Sequence, residues 1–350
     1  MVMVQSGPVL PVDTVRRIDQ LAVGAGLAAV VQAAVRLEIP DAFDGVTTLD
    51  ELAKTVQANP ATLERLMRAL VVHDVFEEVE PGRYAHNELS RWLRADAPIA
   101  LRHLVLWLGA PWTWDAWPML ADAVRTGEAV VPKLYGKDFY TYLREDAPAS
   151  AESFNHAMTA LTALNARHIV TAFELPENGT IADIAGGQGR LLKTLLQRSP
   201  GVRGVLFDLA SVVADADPAL TGDGELAGRC TVVAGDCIES IPVDADLYIL
   251  KNILDWPDSN SVRTLRNIRE SARPGARIIV IDNLMEADLD ELRVTTLVDL
   301  FLLLNVGGQR HTRRDFEVLF ERCGLDLVAT KAIAGTFPTQ HLIEATVPGK

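Results

Sequence analysis

The sequence predicts a mixed α/β protein: a mostly helical first part, then an open, largely parallel sheet whose last strand runs antiparallel. Three observations carry that expectation. Ile181-Ala-Asp-Ile184 alternates as a buried strand and runs into Ala185-Gly-Gly-Gln-Gly189, after which leucines recur at helical spacing up to Arg198. The next two apolar segments, Arg203-Gly-Val-Leu-Phe-Asp208 and Val232-Val-Ala-Gly-Asp236, also end in Asp, so three consecutive strands carry an acid at the same end. Finally, Leu325-Asp-Leu-Val-Ala-Thr330 and His341-Leu-Ile-Glu-Ala-Thr-Val347 are strands with no helix between them, which implies a reversal at the sheet's end.

A chain of 350 residues with 49% hydrophobic content can bury a large core, and its length suits two domains. The net charge of -14 argues against a nucleic-acid partner, since a phosphate-backbone binder needs a basic face. No apolar run approaches the roughly 20 residues of a membrane span, and the first residues show no basic segment followed by an apolar signal core. A cytoplasmic protein without a membrane partner is expected. Cys230, Cys237 and Cys323 are too few and too scattered for a disulfide framework or a zinc site and read as structural thiols; no metal is expected.

Residues 12–37 are apolar around much of a helical circumference, and Gly24 and Gly26 are expected to divide them into two helices in need of a partner surface. Residues 49–56 and 60–71 form a helix-turn-helix pattern, with Pro60 at a helix start. A hairpin through Pro81-Gly82 completes a winged-helix arrangement. Such a wing raises the class of DNA-binding regulators. Charge opposes it: the second helix offers Arg65 and Arg68 against Glu64, and the wing carries Glu77, Glu78 and Glu80. Tryptophans then accumulate at positions 107, 112, 114 and 117, as a wall for a flat aromatic ligand, with Trp107 the candidate taken, or as ordinary core. Phe154-Asn-His-Ala-Met158 opens a long helix toward Phe173 that delivers the chain to the glycine turn. Further on, residues 259–273 read as a helix, 277–281 as a fifth buried strand, 289–304 as a strongly apolar helix and 313–323 as a last helix.

The turn is where chemistry is expected. Gly186, Gly187 and Gly189 let backbone approach a ligand, and the following helix points unpaired amides at it. A dinucleotide fingerprint would space its glycines Gly-x-Gly-x-x-Gly around a pyrophosphate. Here the spacing is Gly-Gly-x-Gly, and Asp183 before it would repel a pyrophosphate but suits an ammonium group. Asp208 stands where a ribose diol would be gripped.

In order and spacing, Asp183-Ile-Ala-Gly-Gly-Gln-Gly, Phe207-Asp-Leu209, Gly235-Asp236 and Leu250-Lys-Asn-Ile-Leu-Asp-Trp-Pro-Asp258 resemble the class I S-adenosylmethionine-dependent methyltransferases. The chain is most similar to the small-molecule O-methyltransferases of plant phenolic and bacterial aromatic-antibiotic pathways, whose Gly-Gly-x-Glu-Arg-Thr segment is resembled by Asn305-Val-Gly-Gly-Gln-Arg-His-Thr312. The resemblance implies a Rossmann-like methyltransferase sheet behind a winged-helix dimerisation domain. It divides the chain into a helical dimerisation part (1–100), a helical linker and substrate lid (101–175) and a cofactor-binding catalytic part (176–350). It further implies S-adenosyl-L-methionine as cofactor, S-adenosyl-L-homocysteine as product, a homodimer through the N-terminal helices and a small-molecule acceptor. Cofactor contacts are expected from the turn with Asp183, from Asp208 and Leu209 at the ribose, from Asp236 and Cys237 beside the adenine, and from Lys251. Asn155, Met158 and Asn305 are expected to face the substrate.

The catalytic positions depart from that pattern. Relatives of the resembled group use the His of a His-Asp-Trp segment, whereas this chain reads Leu254-Asp-Trp256: either that His is deleted or Asp255 takes its place. Asp282 stands where a Glu follows the fifth strand, and Arg310 replaces the Glu of the Gly-Gly segment. Asp255, with a pKa raised by apolar neighbours, Asp282 and His311 are the acid–base candidates, and Asp255 equally suits a helix N-terminus. His156 and His168 are less expected to act. General base catalysis typically supplies about 10²–10⁴-fold. Proximity supplies about 7–11 kcal/mol, so methylation without a strong base is feasible. The alternative on the same scaffold is a decarboxylase, hydroxylase or pericyclase that uses the cofactor electrostatically.

Overall fold

A computed structural model describes residues 11–99 and 101–349, in two compact units, Met1–Ala110 and Pro111–Lys350. In the first unit, helices α1 (Val12–Ala22) and α2 (Gly24–Arg36) meet at a 44° bend. The break falls at Val23, and Gly26 lies inside α2: one interruption relieves the bend, and a second glycine costs only helix propensity. Strand β1 (Val46–Thr48) leads into α3 (Leu49–Thr55), whose Thr48 cap forms a reciprocal box with Glu51. Helix α4 (Pro60–Val72) starts on an Asn59 cap with Pro60 in first position. Strands β2 (Glu77–Glu80) and β3 (Arg83–Ala85) form the expected hairpin, and β1 extends it in the order β1-β3-β2. Helices α5 (Glu88–Trp92) and α6 (Arg102–Leu108) complete the unit.

Leu52, Leu63, Met67, Leu70, Phe76 and Tyr84 pack into one core with Val35 and Ile39. Helix α1 buries nothing: Val12, Ile18 and Leu21 are each more than 60% exposed. Such a helix needs a cover that the unit does not supply. Among the described residues no single helix is long and apolar enough to cross a membrane; α1 and α2 pass that test only jointly, across their bend.

The second unit opens with α7 (Pro111–Ala116), α8 (Leu120–Thr126), α9 (Val131–Tyr135), α10 (Phe139–Glu145) and the long α11 (Pro148–Ile169). Alternating elements follow: β4 (Gly179–Ile184), α12 (Arg190–Arg198), β5 (Val202–Asp208), the short α13 (Ala210–Val213), β6 (Cys230–Ala234), β7 (Leu247–Lys251), α14 (Asp258–Ser271) and β8 (Arg277–Asp282). Helices α15 (Leu289–Val306) and α16 (Arg313–Cys323) precede β9 (Asp326–Ala332) and β10 (His341–Thr346). The sheet order is β6-β5-β4-β7-β8-β10-β9, and β10 is antiparallel to both neighbours, as the helix-free connection implied.

Period-2 burial on both faces marks this as a doubly covered sheet. Along β8, Ile278 and Val280 join one apolar cluster with Leu265, Phe316 and Phe320, while Ile279 and Ile281 join the opposite one with Leu192, Leu195 and Ile169. The strand order reverses at β4, which has β5 on one side and β7 on the other. In such sheets a crevice opens at the carboxyl ends of the strands on either side of the reversal. Register puts Ile184 level with Phe207 and Leu250, so Asp208 and Lys251 flank the glycine turn.

Leu195→Ala, which empties a fully buried site, is expected to lower unfolding free energy in a urea titration by about 2–5 kcal/mol. Thr312→Ala, which only removes the α16 cap, is expected to cost about 1 kcal/mol. Equal losses would contradict this account of the core.

Candidate active site

A cavity of about 1100 Å³ opens at the strand ends of the second unit. That is slightly above the ~300–1,000 Å³ usual for one small ligand and leaves room for a cofactor and an acceptor together. Asp183, Gly186, Gly187, Asp208, Leu209, Asp236, Cys237 and Lys251 all border it, as do Asn155, Met158 and Asn305.

The turn's geometry explains its residues. Gly187 takes φ 62°, left-handed, with no heavy atom within 4 Å of where a Cβ would stand. At Gly186 a Cβ would lie 2.6 Å from the Asp183 Cγ, so only glycine lets the backbone pass the carboxyl. Gly189 does not border the cavity; it caps α12 from behind, against Leu220. Ala185, at φ 52°, holds the turn's one left-handed side chain. Gly187 N–H and Leu209 N–H each donate 2.7 Å bonds to the two oxygens of Asp208, which keep further lone pairs for a ligand. Burial raises the Asp208 pKa, and these two amides oppose it.

Asp183 is only 2% exposed, and its Oδ2 has no hydrogen-bond partner. Burial, then repulsion from Asp208, pushes its pKa up to about 7, with Lys251 opposing. Burial likewise lowers Lys251 to about 8, opposed by Asp282 and Asp183. Beside it, Asn252 takes φ 54°, donates its backbone N–H to the Ile281 carbonyl over 2.9 Å, and keeps a buried, unpartnered Oδ1 at the cavity wall. Burial pushes the Cys237 thiol up to about 12, so it acts as a small apolar wall group. On α11, Thr159 Oγ1 donates to Gln188 Oε1 over 3.1 Å, tying that helix to the turn. Asn305, 2% exposed, anchors its Nδ2 on the Phe301 carbonyl at 2.7 Å and leaves Oδ1 unpartnered.

The acid–base candidates lie elsewhere: Asp255, Asp282 and His311 are buried and none borders the cavity. Arg310 explains the first two. Its Nη1 stands 2.6 Å from Asp282 Oδ1 and 3.2 Å from Asp255 Oδ2, while its backbone N–H donates to Asp299 Oδ1 over 2.6 Å. The cation that replaces an acid in the sequence thus binds the two altered acids. Burial raises the Asp255 pKa, and the guanidinium opposes that rise. Gly308 makes the approach possible, since a Cβ there would lie 1.9 Å from the Asp255 carbonyl oxygen. His311 has its Nε2 2.9 Å from the Leu254 carbonyl, which fixes Nε2 as a donor, and its ring edge on Phe316. Trp107 falls on α6 of the first unit and is not on the cavity wall; Trp112 and Trp117 pack on Phe301 as core. Tyr140 and Trp256, to which the sequence assigns no role, also border the cavity.

Residues 117–326 match the O-methyltransferase domain, and residues 20–96 match the O-methyltransferase dimerisation domain. The mitomycin biosynthesis 6-O-methyltransferase of Streptomyces lavendulae is 37% identical over 311 residues, 88% of each chain. The chain belongs to the S-adenosylmethionine-dependent O-methyltransferase family. A solved mitomycin 7-O-methyltransferase superposes with this methyltransferase at a TM-score of 0.86 and 34% identity, covering 96% of this chain and 98% of the other. A calicheamicin-biosynthesis methyltransferase solved with S-adenosylhomocysteine superposes at 0.82 and 30% identity, covering 98% and 100%. The aclacinomycin 10-hydroxylase of Streptomyces purpurascens is also similar, 32% identical over 315 residues, 89% of this chain and 83% of the other.

The methyltransferase's residues fit its cofactor. An unpartnered buried carboxylate oxygen at Asp183 lacks only a cationic donor, and the open space over Gly187 admits a ligand against backbone.

Asp183→Asn is expected to separate binding from stability. With a folded pKa of about 7 against an ordinary 3.8, Asp183 contributes stability that is full below pH 4 and is lost as pH rises through 7. The ligand-free Asn variant should therefore match wild type in thermal melts near pH 4 and exceed it at pH 8, while losing cofactor affinity; equal melts at pH 8 would sink the assignment. Arg310→Met, which leaves two buried carboxylates uncompensated, is expected to cost about 3–5 kcal/mol in chemical denaturation.

Proposed function

We propose that the enzyme transfers the methyl group of S-adenosylmethionine to a hydroxyl oxygen of a small aromatic natural-product acceptor. The names of its relatives support an antibiotic-pathway acceptor. The observation that carries the reading is the joint placement of the glycine turn, the unpartnered Asp183 and the acids Asp208 and Asp236 on one cavity large enough for two ligands.

In this reading Asp183 takes the cofactor's ammonium group, Asp208 with the Leu209 backbone its ribose, and Asp236 and Cys237 the adenine. Gly186 and Gly187 form the backbone cradle, Gly189 starts the helix behind it, and Lys251 sets the charge beneath. When bound, the cofactor supplies an electrophilic methyl carbon on a sulfonium. The chain's own residues bind, orient and exclude water: Asn155, Met158 and Asn305 border the acceptor space, and proximity carries most of the acceleration. Asp255 and Asp282, engaged by Arg310, and His311, engaged by Leu254, lie behind the cavity wall and exchange no proton with the acceptor. Trp107, off the cavity wall, is given no substrate contact. The exposed apolar row of α1 and the dimerisation domain support a homodimer through the N-terminal helices, and the reading places the enzyme in the cytoplasm.

A second reading has a specific support, the 32% identical hydroxylase, whose name reports no methyl transfer. Incubation with methyl-labelled S-adenosylmethionine and a panel of hydroxylated aromatics separates the two. Label in the aromatic product is expected; label retained on the cofactor while the aromatic is converted overturns methylation in favour of the second reading. Calorimetry with S-adenosylhomocysteine is expected to show binding that Asp208→Ala weakens at least tenfold.

A further inference from the structure

Tyr140, on α10, and Trp256, just beyond β7, border the cavity without a role in the assignments above. The Trp256 indole Nε1 donates to the Tyr140 hydroxyl oxygen over 3.0 Å, and the two rings meet edge-on with centroids 6.4 Å apart. That bond uses the hydroxyl as an acceptor, so its proton is left to donate, and a donor whose oxygen already accepts is strengthened by the chain of bonds. Burial, together with the charges of Asp255 and Asp208, raises the Tyr140 pKa, so the phenol keeps its proton and serves as a donor, not as a base.

Arg310 compensates Asp255 and Asp282 behind the wall, and Lys251 stands on the wall itself, where a cation favours a ligand oxygen that carries negative charge. Asp255, Asp282 and His311, the acid–base candidates of the sequence, do not border the cavity. His156 does border the cavity. Phe154, Met158 and Leu161 share one stripe of α11; Glu152, His156 and Thr159 share another, the one that reaches Gln188 in the glycine turn.

We propose that the acceptor binds as its oxyanion and that Tyr140, backed by Trp256, is the donor that holds the ionised oxygen. The substrate class is then an acidic phenol or enol, such as a hydroxyquinone, whose hydroxyl ionises near neutral pH. This rests on the methyl-transfer reading for the choice of oxygen. The balance is complete without a protein base: the acceptor's proton leaves to solvent on ionisation, an oxygen lone pair forms the new C–O bond, and the breaking C–S bond leaves its electron pair on sulfur.

The test uses the full-length enzyme saturated with S-adenosylhomocysteine and three probes whose visible absorbance reports ionisation: alizarin, 4-nitrophenol and 4-nitrocatechol. Wild type is expected to bind at least one of them with an apparent pKa below its value in solution. Tyr140→Phe should raise that bound pKa by about one unit, a tenfold loss of preference for the anion. Trp256→Phe should move it the same way by less. Retained homocysteine-cofactor affinity and an unchanged melting temperature show that each variant is folded. An unchanged bound pKa in Tyr140→Phe overturns the proposal, and so does a wild type that binds none of the probes or binds them as neutral phenols. Intact S-adenosylhomocysteine binding in those cases leaves the cofactor half of the methyl-transfer reading standing.

Discussion

The Arg310 guanidinium, held between Asp282 and Asp255, is the interaction on which the active-site floor depends. Its two carboxylate partners come from the end of β8 and the loop beyond β7, and the Arg310 backbone N–H is held by Asp299 within α15, so segments far apart in the chain meet only when the sheet is complete. A buried ion cluster of this kind is weak evidence for stability, because desolvation offsets much of its attraction. It fixes position instead. With Asp255 clamped, the next residue, Trp256, is held where its indole reaches Tyr140, and Gly308 must stay bare for the backbones to pass. Three departures that look unrelated in sequence therefore form one electrostatic unit.

On the proposed assignment of cofactor and acceptor, the two halves of the cavity are built on different principles. The cofactor side is kept under tension: Asp183 holds an unsatisfied oxygen against its like-charged neighbour, and Ala185 and Asn252 sit in left-handed conformations that cost energy. The parallel strands on either side make that arrangement hold, with Ile184 locked level with Phe207 and Leu250. The acceptor side is relaxed and largely aromatic or amide in character, with Tyr140, Phe154, Trp256 and Asn305 on its walls. Tension of the first kind is released by one particular ligand, whereas walls of the second kind accept a range of flat molecules.

Legibility in the sequence follows the same division. The glycine turn, the acids ending β4 and β5, and the reversal at β10 are local patterns of period and punctuation, and each could be read before the structure. The break between α1 and α2 was readable to within a residue, but the extra strand β1 was not, since three residues cannot display an alternation. The fate of Asp255 depends on a partner 55 positions later, and nothing local announces it. Tyr140 carries no signal at all, because a tyrosine in a short helix reads the same whether it faces a cavity or a core. The tryptophan run misleads for the complementary reason: Trp112 and Trp117 are as apolar as a ligand wall would be and are used as packing against Phe301.

The antiparallel placement of β10 has a consequence for how the molecule is made. β8 and β9 do not pair with each other; both pair with β10, which follows them in the chain. While the protein is being synthesised, β8 therefore emerges with one edge lacking its neighbour, and it keeps that open edge through the production of α15, α16 and β9. An unpaired edge of Ile278 to Ile281 is a template for pairing with another nascent chain. Correct assembly of the sheet becomes a race between arrival of the last strand and intermolecular capture, and segments in the β8–β10 interval set the length of that race.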